Sequence, residues 1–224
     1  MKAFTTCSSA ALTLALVSLA PLPAAAATNL YDNISVSSGA IDRAASDGPL
    51  YDSFSTGSAA VDLSLILINL TNDGVTGSTG SFSVNLYADS STSPGALLTT
   101  IATLPDSDLS TSIDSFALSP ASPELLAADT RYWIGVVGPR SSVAWSVASD
   151  ATGTGVAGEF WASTPGGSLT VIANSDANPP YQMLVSVAAA SVPEPSTWAM
   201  LTLGFAGLGF AGYVSRPRPR PFSR

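Results

Sequence analysis

The side chains that could do chemistry in this chain are its carboxylates, because the other usual catalytic residues are scarce. The 224 residues contain no histidine and one cysteine, Cys7. A serine–histidine nucleophile is thereby excluded, and no Gly-x-Ser-x-Gly segment is present to expose a reactive serine. Hydrolysis of a glycoside needs only two carboxylates that face one cleft. The acids available for such a pair are Asp106, Asp108, Glu124 and Glu159.

The setting of these acids argues against catalysis. Asp106 and Asp108 lie in a turn-like Pro-Asp-Ser-Asp stretch, where acidic side chains are usually solvated. No pairing pattern links them to Glu124 or Glu159, so we expect a protein that is not an enzyme. Loop aspartates and carbonyls could still hold a structural calcium ion, although no regular Asp-x-Asp-x-Asp-Gly loop is present. We expect no other cofactor, and the sequence names no individual metal ligand.

Three tryptophans offer a different chemistry, the stacking of flat aromatic rings on sugars. They are Trp133, Trp145 and Trp161. If residues 131–137 form a strand, alternation places Tyr132 on one face and Trp133 on the other, where Trp133 could be exposed. The alternative is that all three pack in the core, as large aromatic side chains commonly do.

The net charge of the central region limits the kinds of partner that it can bind. Residues 28–195 contain sixteen acids and three bases, Arg43, Arg131 and Arg140, which gives a net charge of −13. Nucleic-acid binding needs a basic patch, so no nucleic acid is expected as a partner. A large negative charge also favours solubility outside a cell.

The central region predicts strands rather than helices. Residues 61–68 alternate at first and then become apolar on both faces, as in an inner strand of two packed sheets. Turn clusters such as residues 72–74 separate the short candidate strands, and only residues 122–128 suggest a single helical turn or a loop. The predicted fold class is all-β, an antiparallel β-sandwich of jelly-roll or Greek-key type over residues 28–190. The predicted strands are 61–68, 82–87, 97–104, 113–118, 131–137, 143–148, 156–161, 169–173 and 182–188.

The N-terminus has the features of a secretory signal peptide. Lys2 supplies a positive charge, residues 10–20 form a short apolar segment, and small residues up to Ala27 suit a signal peptidase. The 11 apolar residues are too few for a bilayer-spanning helix, which needs roughly 20. We therefore predict a signal peptide at residues 1–27. No cysteine, and hence no disulfide, remains after its removal.

The C-terminus predicts a membrane anchor. Residues 198–214 form a 17-residue stretch without charge, which as a helix would extend about 26 Å, nearly the thickness of a bilayer core. Trp198 and Tyr213 stand near its ends, where amphipathic rings favour the membrane interface. A buried helix of a soluble domain is the alternative, which the basic end disfavours. The residues of that end, cytoplasmic by the positive-inside rule, are Arg216, Arg218, Arg220 and Arg224.

A short rigid arm precedes the apolar stretch and comprises Val192, Pro193, Glu194 and Pro195. Each proline fixes its own φ and pushes the preceding residue out of the helical region, so Glu194 is held extended. If the arginines are cytoplasmic, the arm projects from the outer side of the membrane. Its single carboxylate is then open to recognition by an enzyme.

The arm, the glycine-bearing apolar helix and the basic end, in that order, resemble the PEP-CTERM sorting signal of exported bacterial proteins. The resemblance covers residues 192 to about 220, within a sorting segment predicted at 191–224. It implies that an exosortase, a membrane-embedded transpeptidase-like enzyme, cuts near the triplet and releases or transfers the exported part. The implied partners are that enzyme and the inner membrane, and the implied destination is the cell surface or the extracellular matrix.

Two stretches of the body, LYADSSTSPGALL at 86–98 and LLAADTRYWIGVV at 125–137, are similar to extracellular domains that bear choice-of-anchor names. This resemblance implies a β-sandwich ectodomain and carries no catalytic residue over. The expected function is therefore that of a non-enzymatic cell-envelope or extracellular-matrix protein. Two alternatives stay open, an exopolysaccharide-binding module and a carboxylate-based glycosidase.

Overall fold

The computed structural model describes residues 27–74, 80–190, 201 and 203–207. The predicted signal peptide lies outside the described residues except for Ala27, and so do the arm at 192–195 and the arginine-rich end. Leu201 and residues 203–207, within the predicted anchor, are helical. The signal peptide and the anchor stay predictions. In the part of the chain that the structure describes, no helix is long and apolar enough to cross a membrane.

Residues 27–74 and 80–190 consist almost entirely of strands and their connections, with short 3-10 segments at Asp106–Asp108 and Pro165–Gly167. The strands, in chain order, are β1 (Thr28–Asp32), β2 (Ser38–Arg43), β3 (Leu50–Ser55), β4 (Val61–Asn72), β5 (Ser81–Asp89), β6 (Pro94–Pro105), β7 (Asp114–Leu118), β8 (Glu124–Leu126), β9 (Arg131–Val137), β10 (Val143–Ala148), β11 (Phe160–Ser163), β12 (Thr170–Ala173) and β13 (Met183–Ala189).

These strands form two sheets, and their pairings are antiparallel. Sheet A has the order β1-β13-β4-β10-β2. Strands β7 and β8 also pair with β4, along the edge opposite to β13. Sheet B has the order β12-β11-β3-β9-β5-β6. The all-β, antiparallel part of the prediction is therefore confirmed.

Strand β4 organises sheet A because it is long and aliphatic. Its register with β13 runs from Val61 opposite Ala189 to Ile68 opposite Met183, and Leu70 then lies opposite Trp145 of β10. The last strand of the body, β13, thus lies between the first strand, β1, and β4. Aliphatic side chains on a central strand are buried by neighbours on both edges, which is why this segment is stable as a strand.

Both sheets contribute to one core of apolar side chains. Ile66 and Ile68 come from sheet A, whereas Leu50, Phe54 and Ile134 come from sheet B, and all five are fully buried. Each such side chain removed from water contributes roughly 1.5–3 kcal/mol to stability. A core shared by two antiparallel sheets is what a β-sandwich requires.

Local predictions fail at three places. Residues 124–126, predicted as a helical turn or loop, form β8 because they pair with the first residues of β4. Strand β11 starts at Phe160 and not at Val156, because the chain first turns through Gly158 and the Glu159 N–H bonds to the Val156 carbonyl. The sequence pattern predicts no strand before residue 61, yet β1, β2 and β3 lie there.

Candidate functional site

Sheet B has one face toward the core and one face away from it. Alternation along β9 turns Tyr132, Ile134 and Val136 into the core, so the residues between them point away. We name the side of sheet B that faces away from the core the outer face. Its residues include Tyr51, Ser53 and Ser55 of β3, Ser83, Asn85, Tyr87 and Asp89 of β5, and Arg131, Trp133, Gly135 and Val137 of β9.

Two tyrosine rings lie over a glycine at the centre of the outer face. Tyr51 and Tyr87 pack edge to face, with ring centroids 5.4 Å apart and ring planes at 79°. A Cβ atom added to Gly135 would lie 2.7 Å from the Tyr87 ring and 2.8 Å from the Tyr51 ring. Gly135 therefore makes room for the rings to close over the sheet. Both tyrosines are half-buried, and burial followed by the neighbouring Tyr87 raises the pKa of Tyr51 to about 12.

Trp133 lies next to this pair, opposite Tyr87 on one side and Ser53 on the other. It is completely buried, and its indole N–H donates a 2.8 Å hydrogen bond to Asp89 Oδ1. The prediction that Trp133 and Tyr132 point to opposite faces is therefore correct. The prediction that Trp133 exposes a ring for sugar stacking is wrong, because neighbouring side chains cover it.

Asn85 is an unusual polar residue of the outer face. It is only 5% exposed, and its Nδ2 donates to Ser83 Oγ at 3.0 Å and to Tyr87 Oη at 3.2 Å. Within the described residues its Oδ1 accepts no hydrogen bond. A buried acceptor without a donor costs about 1–3 kcal/mol of stability.

Glu159 joins β11 to the outer face through a dense set of hydrogen bonds. Ser53 Oγ donates to Oε2 at 2.5 Å, Ser55 Oγ donates to Oε1, and Arg131 Nε donates to Oε2 at 2.9 Å. The Arg131 guanidinium also lies 4.8 Å from the centroid of the Phe160 ring. The carboxylate is thus buried, and hydrogen bonds and an ion pair compensate for the water that it has lost.

Asp52 occupies the opposite face of β3 and points into the core between Leu50 and Phe54. It is fully buried, Tyr31 Oη donates to its Oδ2 over a long 3.5 Å, and its Oδ1 has no partner among the described residues. Burial, followed by the negative charge of Glu159, raises the pKa of Asp52 well above its ordinary value. Burial likewise raises the pKa of the Tyr31 hydroxyl, which Asp52 reinforces.

The other two tryptophans predicted to stack on sugars, Trp145 and Trp161, pack largely as core residues. Trp145 is fully buried and stacks on Tyr181 with centroids 4.7 Å apart, so the prediction that it stacks on a sugar is also wrong. Trp161 is half-buried, packs edge-on against Tyr181 at 5.8 Å and donates its indole N–H to the Asn178 carbonyl at 3.3 Å. The three predicted sugar-stacking residues do not share one surface.

The other three predicted acids lie in different settings. Asp106 is buried and not solvated as predicted, since it accepts hydrogen bonds from Ser141 Oγ and from the Gly80 and Ser142 amides. Asp108 is exposed, and Glu124 is half-buried on β8. In the described part of the chain, no group of three or more histidine, cysteine or acidic side chains could hold a metal ion.

An open depression at one edge of sheet A is a poorer candidate. Its volume is about 400 Å³, and an ion pair between Arg43 Nε and Asp73 Oδ2, 2.5 Å long, adjoins it. It contains one carboxylate, so it lacks the acid pair that glycoside hydrolysis needs. The lining residues are Ile41, Thr71, Asn72, Asp73, Gly74, Thr111 and Ile113.

Comparison with known protein families identifies the tail. Residues 191–218 match the family model of the PEP-CTERM protein-sorting motif. The predicted sorting signal is confirmed. A PEP-CTERM signal implies an exported protein that an exosortase recognises and processes at the membrane. The match covers about an eighth of the chain and does not extend to the body. No curated protein matches the chain.

Proposed function

We propose that the chain is an exported, non-enzymatic protein of the cell envelope or extracellular matrix, sorted by its C-terminal segment. The match of residues 191–218 to the PEP-CTERM motif carries this proposal. Residues 198–214 serve as a temporary anchor in the inner membrane, with Glu194 on the outer side and Arg216 inside. Cleavage near the arm then frees a body of jelly-roll or Greek-key type, similar to choice-of-anchor domains.

The hydrogen bonding of two buried acids, Glu159 and Asp106, supports a body without catalytic activity. Glu159 and Asp106 each accept three hydrogen bonds from serine, arginine or backbone donors. A general acid or a nucleophilic carboxylate must instead reach the substrate, with a second carboxylate across a cleft. The hydrogen bonds here stabilise connections between strands.

Intact-mass analysis tests the sorting proposal. The full-length chain is produced in cells with an active exosortase and in the same cells without it. We expect a species that lacks the terminal arginines only where the enzyme is active. Glu194→Gln should slow that processing, whereas the matched control Glu124→Gln should not. A mature species that retains Arg216 to Arg224 in the presence of the enzyme would rule out cleavage.

A second candidate function is binding of exopolysaccharide, and the outer face of sheet B favours it. Half-buried tyrosine rings beside uncharged hydrogen-bonding groups suit a sugar surface. The third candidate, a carboxylate-based glycosidase, predicts new reducing ends when the protein is incubated with the polysaccharide of its own matrix. Their absence would eliminate it.

A further inference from the structure

We propose that the outer face of sheet B binds a neutral polysaccharide chain, with the Tyr51–Tyr87 pair as its stacking platform. The proposal rests on the second candidate function and replaces its predicted tryptophan platform with two tyrosines. Trp133 and Trp145 have no exposed surface to offer, whereas both tyrosines keep part of theirs. The site is therefore carried by residues that the sequence did not single out.

The platform is extended by its neighbours in the strand register. Leu97 of β6 lies opposite Tyr87 and is 54% exposed, so apolar surface continues to the edge of the sheet. From β6 through β5 and β9 to β3 the strip crosses four strands, or about 14 Å at the usual strand spacing. A strip of this length suits a short segment of an extended polymer better than one monosaccharide.

The charges of the outer face and of the whole body disfavour an anionic ligand. Arg131 is paired with Glu159, and Asp89 accepts from the Trp133 indole and from the Thr92 amide. The guanidinium of the face is thus engaged by a carboxylate, and an anionic polymer would also meet the net charge of −13 over residues 28–195. A neutral polyhydroxylated chain meets neither obstacle.

Asn85 helps to position the platform. Its side chain is buried, and its Nδ2 donates to Tyr87 Oη at 3.2 Å and to Ser83 Oγ at 3.0 Å. The Tyr87 ring is thus tied to the sheet by its hydroxyl. The ligand would contact the exposed parts of the two rings over Gly135, where the rings meet.

Affinity electrophoresis of the full-length chain in detergent tests the proposal, with dextran, soluble β-glucan or alginate cast in the gel. We expect retardation by a neutral polymer and none by alginate. Tyr51→Ala and Tyr87→Ala should weaken it by about tenfold or more, which corresponds to about 1.4 kcal/mol. Gly135→Ala should act in the same direction, because its methyl group displaces both rings while the strand persists.

The matched control is Leu125→Ala, which removes an apolar side chain that is 62% exposed on β8 of sheet A and should leave binding unchanged. Neutral-polymer binding that survives both tyrosine variants would overturn this site but keep the second candidate function. Absence of binding to every polymer would overturn both. Dimerisation that depends on Tyr87 and excludes the polymers would assign the face to a second copy of the chain and contradict the proposal.

Discussion

Two buried acids lie near opposite faces of strand β3, and they differ in how many hydrogen-bond donors surround each carboxylate. Glu159, on the outer face, is bound by Ser53, Ser55 and Arg131. Asp52, on the core face, has a long bond from Tyr31, and the backbone amides of Ser53 and Tyr181 offset its burial only in part, so its pKa is raised. The difference shows that burial alone does not make a carboxylate stabilising. An acid stabilises the fold where donors replace the water that it has lost, and it weakens the fold where they do not.

Breaking the Glu159 side of this comparison should have the largest effect. Arg131→Leu leaves the buried carboxylate without its counter-ion, so we expect the free energy of unfolding to fall by about 3–5 kcal/mol. Arg140→Leu is the control, because Arg140 is exposed and outside this network. Urea denaturation followed by tryptophan fluorescence measures both variants. Equal stability of the two would show that the ion pair is not needed to compensate Glu159.

Replacing the Asp52 carboxylate by a neutral side chain should stabilise the protein. The folded state binds the Asp52 proton more tightly than the unfolded state, because its pKa is raised. The contribution of Asp52 to stability is therefore greatest below the unfolded pKa of about 4 and is lost as pH rises through the folded pKa. Asp52→Asn removes the carboxylate that is costly to bury at neutral pH, so we expect a gain on the order of 1–3 kcal/mol there.

The measurement for Asp52 is the difference in Tm between wild type and Asp52→Asn across the range from acidic to neutral pH. That difference should widen as pH rises, while the exposed control Asp108→Asn should track the wild type. A variant less stable than wild type at neutral pH would contradict the claim that the ionised carboxylate is a liability there.

Ser53→Ala should have an intermediate effect. The hydroxyl donates to Glu159 and accepts from the Phe160 amide at 2.8 Å, so its removal costs two hydrogen bonds. We expect a loss of about 1–2 kcal/mol by chemical denaturation. Ser81→Ala, at an exposed position of β5, should be neutral. A neutral Ser53→Ala would mean that Ser55 and Arg131 suffice for Glu159.

Tyr31→Phe should have the smallest effect, because the two bonds it removes, the one donated to Asp52 and the one accepted from Asn174, are both 3.5 Å long. We expect a loss of about 0.5 kcal/mol or less. Tyr132→Phe is the informative partner, since Tyr132 Oη accepts a 2.8 Å bond from the Ala127 amide, and we expect about 1 kcal/mol there. A larger loss for Tyr31→Phe than for Tyr132→Phe, measured by thermal unfolding, would show that Asp52 depends on Tyr31.

The elements that the sequence predicted are those marked by a local pattern of apolar residues between turn residues. Strands β9 and β10 were predicted with their observed bounds, because aromatic and β-branched residues fill them and turn residues flank them. Strand β2, SGAIDR, has no such pattern and forms because β10 pairs with it. Strand β8 likewise exists because β4 offers it an edge.

The polar sites depended on distant residues and could not be predicted in the same way. Asp106 was expected in solvent, but Ser141 and Ser142, far along the chain, enclose it. Tyr51 and Tyr87 likewise meet only because β9 lies between their strands. Gly135, within the predicted strand 131–137, was the one local sign that side chains pack closely on the backbone there. The sorting motif at the C-terminus could be predicted, because its residues are contiguous in the chain.

Strand β13 occupies the place between the first strand and the centre of its sheet, and it is the last part of the body to be synthesised. Until it arrives, β1 lacks its neighbour and one edge of β4 lies bare. Assembly of sheet A must therefore wait for residues that stand immediately ahead of the sorting segment at 191. A chain truncated before residue 183 would therefore lack both the sorting segment and the strand that completes sheet A.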